Sequence, residues 1–288
     1  MSVEFALDES APPPPTRDAA TVLVLRDADE GPEVFFVRRT ADARFMGGAY
    51  VFPGGRVDPG DADPAVPCDL DPDEAAARLG EDDPARARAL YVAAIRECVE
   101  ESGILLATGD LSPETVASLR AALSVRGAPP IASLLAPHAL TLRARALVPL
   151  ARWVTPRLET KRFDARFFLA RAPDDVRGAR HDGSETVDSG WMTPAAAIAR
   201  ALRGEIVLAP PTWRTLAELS PARTVAEAIA LAPAAIAPRE PAVVVDDGAI
   251  SVLLPDDPEH PSYTGAPYAD LPVRFRYLDG AWQPVGHP

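Results

Sequence analysis

The sequence predicts a mixed α/β fold in which strands come first and one long helix is set among them. Three observations carry this. Alternating apolar runs at Thr21 to Arg26 and Glu33 to Arg38 flank a Gly31-Pro32 turn and read as a β-hairpin. An alanine-rich apolar run of helical period ends in Arg96-Glu97-Cys98-Val99-Glu100-Glu101-Ser102-Gly103-Ile104. Strand-like alternation then returns at Leu147 to Val154 and Phe163 to Ala170.

Composition bounds the function. With 288 residues, 47% of them apolar, the chain can bury a substantial core. A net charge of -13 argues against a nucleic-acid groove or a membrane-surface helix, both of which need a basic face. It leaves room for a phosphorylated substrate, because a bound cation inverts the local field. Two cysteines, Cys68 and Cys98, are too few for a disulfide scaffold and lack metal-ligand spacing, which fits a reducing, cytoplasmic setting. No apolar stretch is long enough to cross a bilayer. His138, His181, His260 and His287 form no zinc motif, and Ser184 and Ser189 lack the setting of a nucleophilic serine.

In chain order, residues 1–16 read as a disordered, proline-rich lead-in without a secretory signal. After the hairpin, Phe45 to Gly55 reads as a strand flanked by glycines. The pair Gly54-Gly55 after Pro53 allows a sharp turn and close approach of a ligand to the backbone. Residues 58–83, acidic and rich in proline, read as an insertion with at most a short helix around Asp73 to Leu79. Pro84 suits the first turn of the next helix, and Gly103 supplies its stop. A helix from Pro113 to Leu123 is expected, with Ser112 as its cap. Glu185 to Met192 reads as a strand, ahead of a helix opening at Pro194. Thr212 to Leu219 and Thr224 to Leu231 read as short helices. Asp247-Gly248 and Asp279-Gly280 mark two hairpin turns.

The helix ending at Gly103 is the chemical centre of this reading. At about 100° per residue, Glu97, Glu100 and Glu101 share one side, with Val92, Ile95 and Val99 opposite. Three carboxylates so close repel one another unless a positive charge intervenes. A divalent cation with oxygen ligands, Mg2+ or Mn2+, is the natural partner. A plain solvated acidic face is the alternative.

Phe52-Pro53-Gly54-Gly55 together with Arg96 to Ile104 resembles the Nudix hydrolases, whose box reads G-x5-E-x7-R-E-U-x-E-E-x-G-U with U aliphatic. The second half matches almost position for position, Cys98 taking the first aliphatic place. In the first half, Gly55 leads by five residues to Asp61, an aspartate for the family's glutamate. From Asp61 to Arg96 there are 34 intervening residues where the box has seven, an excess of 27.

This resemblance implies a Nudix-like mixed β-sheet between helices over residues 17–203, with the box interrupted by the insertion, and an accessory C-terminal extension over 204–288. It also implies hydrolysis of a nucleoside diphosphate linked to another group, with Mg2+ or Mn2+ as cofactor. Glu97, Glu100 and Glu101 would hold the metal, Glu100 and Glu101 most directly. Arg96 would orient them by ion pairing, and Gly54 and Gly55 would shape the loop under the phosphates. Asp61 and Glu185 are further candidates.

The lead-in to the glycine pair and the Arg38-Arg39…Arg44 pattern resemble the branch that cleaves coenzyme A and acyl-CoA esters. In that reading Arg38, Arg44 and Arg162 contact substrate; otherwise they are surface charges. Trp191 is either core packing or a base platform. The partner is a nucleotide-linked small molecule, with no nucleic acid or membrane, and a homodimer is left open. A non-catalytic metabolite sensor of the same fold is the rival.

Overall fold

The computed structural model of the chain describes residues 13–41, 47–125, 127–174, 176, 179–183, 186–246, 249–263, 265 and 271–286; Arg44, Glu185 and the Asp247-Gly248 pair lie outside them. Strands β1 (Thr16–Arg26) and β2 (Glu33–Arg39) form the expected hairpin. They are bonded only at its turn end, Leu25 with Val34 and Arg26 with Glu33.

The next segment pairs with both strands. β3 (Ala49–Val51) runs beside β2, the chain turns at Phe52-Pro53, and β4 (Gly54–Arg56) returns along β1. The single strand expected over 45–55 is thus broken in two. Pro53 has no N–H for a ladder, and its carbonyl instead accepts from the Val22 amide at 2.9 Å. This places Gly55 opposite Ala20 and Gly54 opposite Thr21.

Residues 58–83 are not a peripheral loop. A 3-10 turn (Pro59–Ala62) leads to helix α1 (Pro72–Leu79), capped by Asp71, whose side chain accepts from the Asp73 amide. Val66, Leu70 and Leu79 are buried in the same core as the next helix. That helix, α2 (Pro84–Ser102), starts where the Asp83 side chain accepts the amides of Ala85 and Arg86, and stops at Gly103, whose φ of 73° suits a residue without a side chain. Val92, Ile95 and Val99 are fully buried as expected, each contributing about 1.5–3 kcal/mol. Its acidic side is covered as well, since Glu101 is only 6% exposed. The solvated-face alternative fails at that residue.

Next come β5 (Ala107–Thr108), α3 (Pro113–Leu123, capped by Ser112 as expected), α4 (Ile131–Leu135), β6 (Thr141–Leu142), β7 (Val148–Val154) and β8 (Arg162–Arg171). They are followed by β9 (Thr186–Met192), α5 (Pro194–Leu202), β10 (Val207–Leu208), α6 (Pro210–Leu219) and α7 (Val225–Ala230). The short pairs β5–β6 and the edge strands have too few residues to show a period in the sequence.

The main sheet runs β10-β3-β2-β1-β8-β7, then β11 (Pro238–Arg239), with β4 beside β1 and β9 along β2. Alternation along β1 builds two cores. Ala20, Val22 and Val24 face α2, while Leu23 and Leu25 face the opposite core, which includes residues of α5, α6 and α7. The two hairpins expected near the C-terminus join into one sheet, β12 (Ala242–Asp246), β13 (Ala249–Leu253), β14 (Arg274–Leu278) and β15 (Ala281–Pro284). Residues 204–288 supply both edge strands of the main sheet and bury Trp213, Phe275 and Trp282 in its second core.

Six charged side chains anchor the start of α2, and nothing local in the sequence announces them. Arg86 bonds Asp18 at 2.6 Å and Glu81 at 2.7 Å, Arg152 grips Asp164 at 2.9 and 2.7 Å, and Arg166 pairs with Asp164 and Glu81. Burial would raise the Asp164 carboxyl, but the Arg152 and Arg166 guanidinium groups outweigh it and hold it below the usual carboxylate range. A carboxyl depressed by folding adds stability that is complete above its ordinary titration near pH ~4 and is lost as pH falls through the folded value. Melting temperature is therefore expected to drop on acidification below pH ~4, with a shallower acid slope in Asp164→Asn; equal slopes in thermal melts from pH 2 to 6 would refute this.

Candidate active site

The candidate site is the seam where α2 lies against β4. Gly55 faces Glu97 so closely that a Cβ there would fall 2.6 Å from the Glu97 carboxylate. At Gly54 a Cβ would meet the backbone of Ala20 and Thr21 at 2.5 and 2.7 Å. Gly54 needs glycine for the close approach of strand to strand, and a side chain at Gly55 would displace the Glu97 carboxylate. The Gly54 amide donates to Glu101 Oε2 at 3.0 Å, which fixes the turn to the helix.

Arg96 is the hub. Its Nε and Nη2 donate to both oxygens of Asp61 at 2.8 and 2.9 Å, its Nη1 to Glu97 Oε1 at 2.8 Å, and its Nη2 also to the Arg56 carbonyl. Glu100 lies 3.5 Å from Nη1. The Asp61 amide turn is closed by Asp58, whose N–H donates to Asp61 Oδ2 at 2.8 Å. The displaced first half of the motif is thus brought back to the second half by a forked guanidinium–carboxylate pair that is almost fully buried.

Burial pushes the Glu97 carboxyl above its ordinary range, Arg96 opposes the push, and Asp61 and Asp58 add to it. The next residue, Cys98, is wholly buried, which pushes its thiol up to about 12. Cys68 is raised too, again by burial first. Both thiols are expected to react slowly with a disulfide reagent at pH 8 in the native protein and fully after unfolding; rapid native reaction of both would contradict this.

The comparisons with known proteins bear on this seam. A family model described as the NUDT19 Nudix domain matches residues 73–219, just over half of the chain. The chain belongs to the Nudix hydrolases. A Nudix hydrolase from Alicyclobacillus acidocaldarius has a similar structure, with a TM-score of 0.60 and 31% identity, covering 75% of this chain and 96% of that one. A putative nudix hydrolase 7 of Caenorhabditis elegans is 28% identical over 209 residues, 71% of this chain and 60% of the relative. The family match begins inside the insertion, so Gly54, Gly55 and Asp61 lie outside it. Their contacts with Arg96, Glu97 and Glu101 join them to the matched residues.

The other expected site residues divide. Arg38 is exposed at the end of β2, cross-strand from Tyr50 and Asp188, whose side chains share a 2.5 Å hydrogen bond. Arg162 is not brought to the seam. It is buried at the start of β8, where it donates to the carbonyls of Thr155 and Pro14 and to Glu240, and those bonds give it a structural task. Arg44 and Glu185 lie outside the described residues. Trp191 packs edge-on to Phe35 under the Arg26 guanidinium, which is core packing.

Nudix hydrolases generally use divalent metal ions, and the donor chemistry here suits them: Glu97, Glu100 and Glu101 offer hard oxygen ligands beside a seam that a single added Cβ would fill. Among the described residues, however, no three His, Cys, Asp or Glu side chains converge closely enough to hold an ion by themselves. Glu97 is turned to Arg96, and Glu101 to the Gly54 amide. Among the same residues no helix is long and apolar enough to cross a membrane.

Proposed function

We propose that this protein hydrolyses the pyrophosphate bond of a nucleoside diphosphate linked to another group, with coenzyme A or an acyl-CoA as the favoured class. The observation that supports it most is the assembly of Glu97, Glu100, Glu101 and the Gly54-Gly55 turn by the Arg96–Asp61 pair across 34 intervening residues. A purely structural helix needs no glycine turn and no distant aspartate drawn to its acidic side.

In this reading Glu97, Glu100 and Glu101 hold Mg2+ or Mn2+, which supplies charge neutralisation at the phosphates and a more acidic attacking water. Arg96, tied down by Asp61, keeps the carboxylates apart and aimed without touching substrate. Glu100 or Glu101, whichever is not ligating, would accept the proton of the attacking water. Gly54 and Gly55 let the turn lie close against β1 and against the Glu97 carboxylate, which holds the glutamates next to the turn.

The coenzyme A reading rests on the Arg38-Arg39…Arg44 pattern ahead of the glycine turn. Arg39, next to the exposed Arg38, has a buried Nε without a hydrogen-bond partner among the described residues. The test is a panel of coenzyme A, acyl-CoA, dinucleotide and nucleotide-sugar substrates, with and without Mg2+ or Mn2+, and products resolved by mass. Cleavage of coenzyme A into a 4′-phosphopantetheine and a nucleoside bisphosphate supports the proposal; absence of any metal-dependent turnover defeats it. The lack of a converged metal cluster favours one second reading, a non-catalytic nucleotide-metabolite sensor. Binding without turnover in the same panel would select it.

A further inference from the structure

The last turn of α2 carries Glu100 and Glu101 but has no basic residue of its own. The carbonyls that end a helix lack intrahelical partners and form the negative pole of its dipole, an unfavourable place for added carboxylates. A residue from another helix answers both problems. Arg120 of α3 donates from Nε to the Glu100 carbonyl at 3.0 Å and from Nη2 to the Glu101 carbonyl at 3.0 Å. The same Nη2 donates to the Arg180 carbonyl at 2.8 Å, and the Arg180 amide returns a bond to the Ser102 carbonyl at 3.0 Å.

The contact is close and shaped. A Cβ on Gly103 would come 3.2 Å from Arg120 Nη1, so the helix stop and the guanidinium fit one another. Ser102 Oγ donates to the Cys98 carbonyl and accepts the Ile104 amide at 3.1 Å, which completes the turn around it. Arg120 thus binds the backbone of both glutamates and the segment entering β9, two stretches about 80 residues apart in sequence.

We propose that Arg120 is a positioning residue: its guanidinium clasps the C-terminal turn of α2 to the chain at Arg180, and so sets where the Glu100 and Glu101 side chains start. Its catalytic consequence rests on the diphosphatase reading above; its structural one does not. A lysine can supply the charge and reach one or two of the carbonyls, but not the planar three-way fork.

The experiment uses the full chain with Arg120→Ala and Arg120→Lys. Hydrogen exchange, resolved by residue, is the first readout. Exchange at Gly103, Ile104 and Arg180 is expected to rise at least about 10-fold in Arg120→Ala while amides of β1 and β8 stay as in the parent, with Arg120→Lys between. The second is kinetic. A displacement of the carboxylates by a fraction of an ångström should lower kcat by about 10-fold or more and leave KM within about 3-fold, with partial recovery in Arg120→Lys. Unchanged local exchange in Arg120→Ala overturns the clasp. A uniform rise across the chain does so too, since it marks a contribution to global stability only. Unchanged kcat overturns the catalytic role. If the parent protein turns over nothing, the diphosphatase reading is what fails, and the exchange data still decide the clasp.

Discussion

Glu101→Gln is expected to lower kcat by about 10²–10⁴-fold, the range for losing a carboxylate that takes or holds charge in a transition state. The substitution isolates charge from shape. Glu101 accepts the Gly54 amide at 3.0 Å, and a glutamine can accept the same bond through its carbonyl oxygen. The turn therefore stays pinned, at a cost of about 1–2 kcal/mol for exchanging a charged acceptor for a neutral one. Melting temperature should move by only a few degrees while turnover collapses. Steady-state kinetics across an Mg2+ and Mn2+ titration make the check. Turnover within about 10-fold of the parent at saturating metal would remove Glu101 from the chemistry.

Asp61→Ala is expected to be the most damaging change to stability at the site. Asp61 is 1% exposed and takes two hydrogen bonds from Arg96, which is itself 6% exposed. Removing one member of a buried ion pair costs about 3–5 kcal/mol, because the remaining charge stays desolvated. Arg96 keeps Glu97 and the Arg56 carbonyl, so the lower end, about 3 kcal/mol, applies here. That corresponds to a fall in melting temperature on the order of 10 °C. Asp61→Glu restores the family's residue type and should recover part of the loss. Thermal melts make the check, and a fall of less than about 2 °C in Asp61→Ala would mean that the pair is not what holds the site together.

These expectations link the insertion to the chemistry. Excess sequence inside a motif reads as a loop because its composition is polar and breaks every period. In the folded chain Val66, Leu70 and Leu79 belong to the core under α2, and Glu81 joins the charged cluster at the start of that helix. The insertion therefore holds Asp61 and α2 in a fixed relation, which is why a motif split by 34 residues can close.

Local pattern settled a good part of the molecule. The hairpin of β1 and β2, the extent of α2 with its Pro84 start and Gly103 stop, the Ser112 cap and the helix at Pro194 follow from period, capping and turn chemistry acting over a few residues. So do the chemical nature and spacing of Glu97, Glu100 and Glu101, since a helix fixes which side chains share a face. What the tertiary structure alone decided is which distant groups meet that face. Asp61 reaches Arg96 across the insertion, the Gly54 amide takes Glu101, Arg120 closes the end of the helix, and Arg162 is drawn away to Glu240. Each of these contacts joins residues brought together by core packing, and a pairing of that kind leaves no period in the chain.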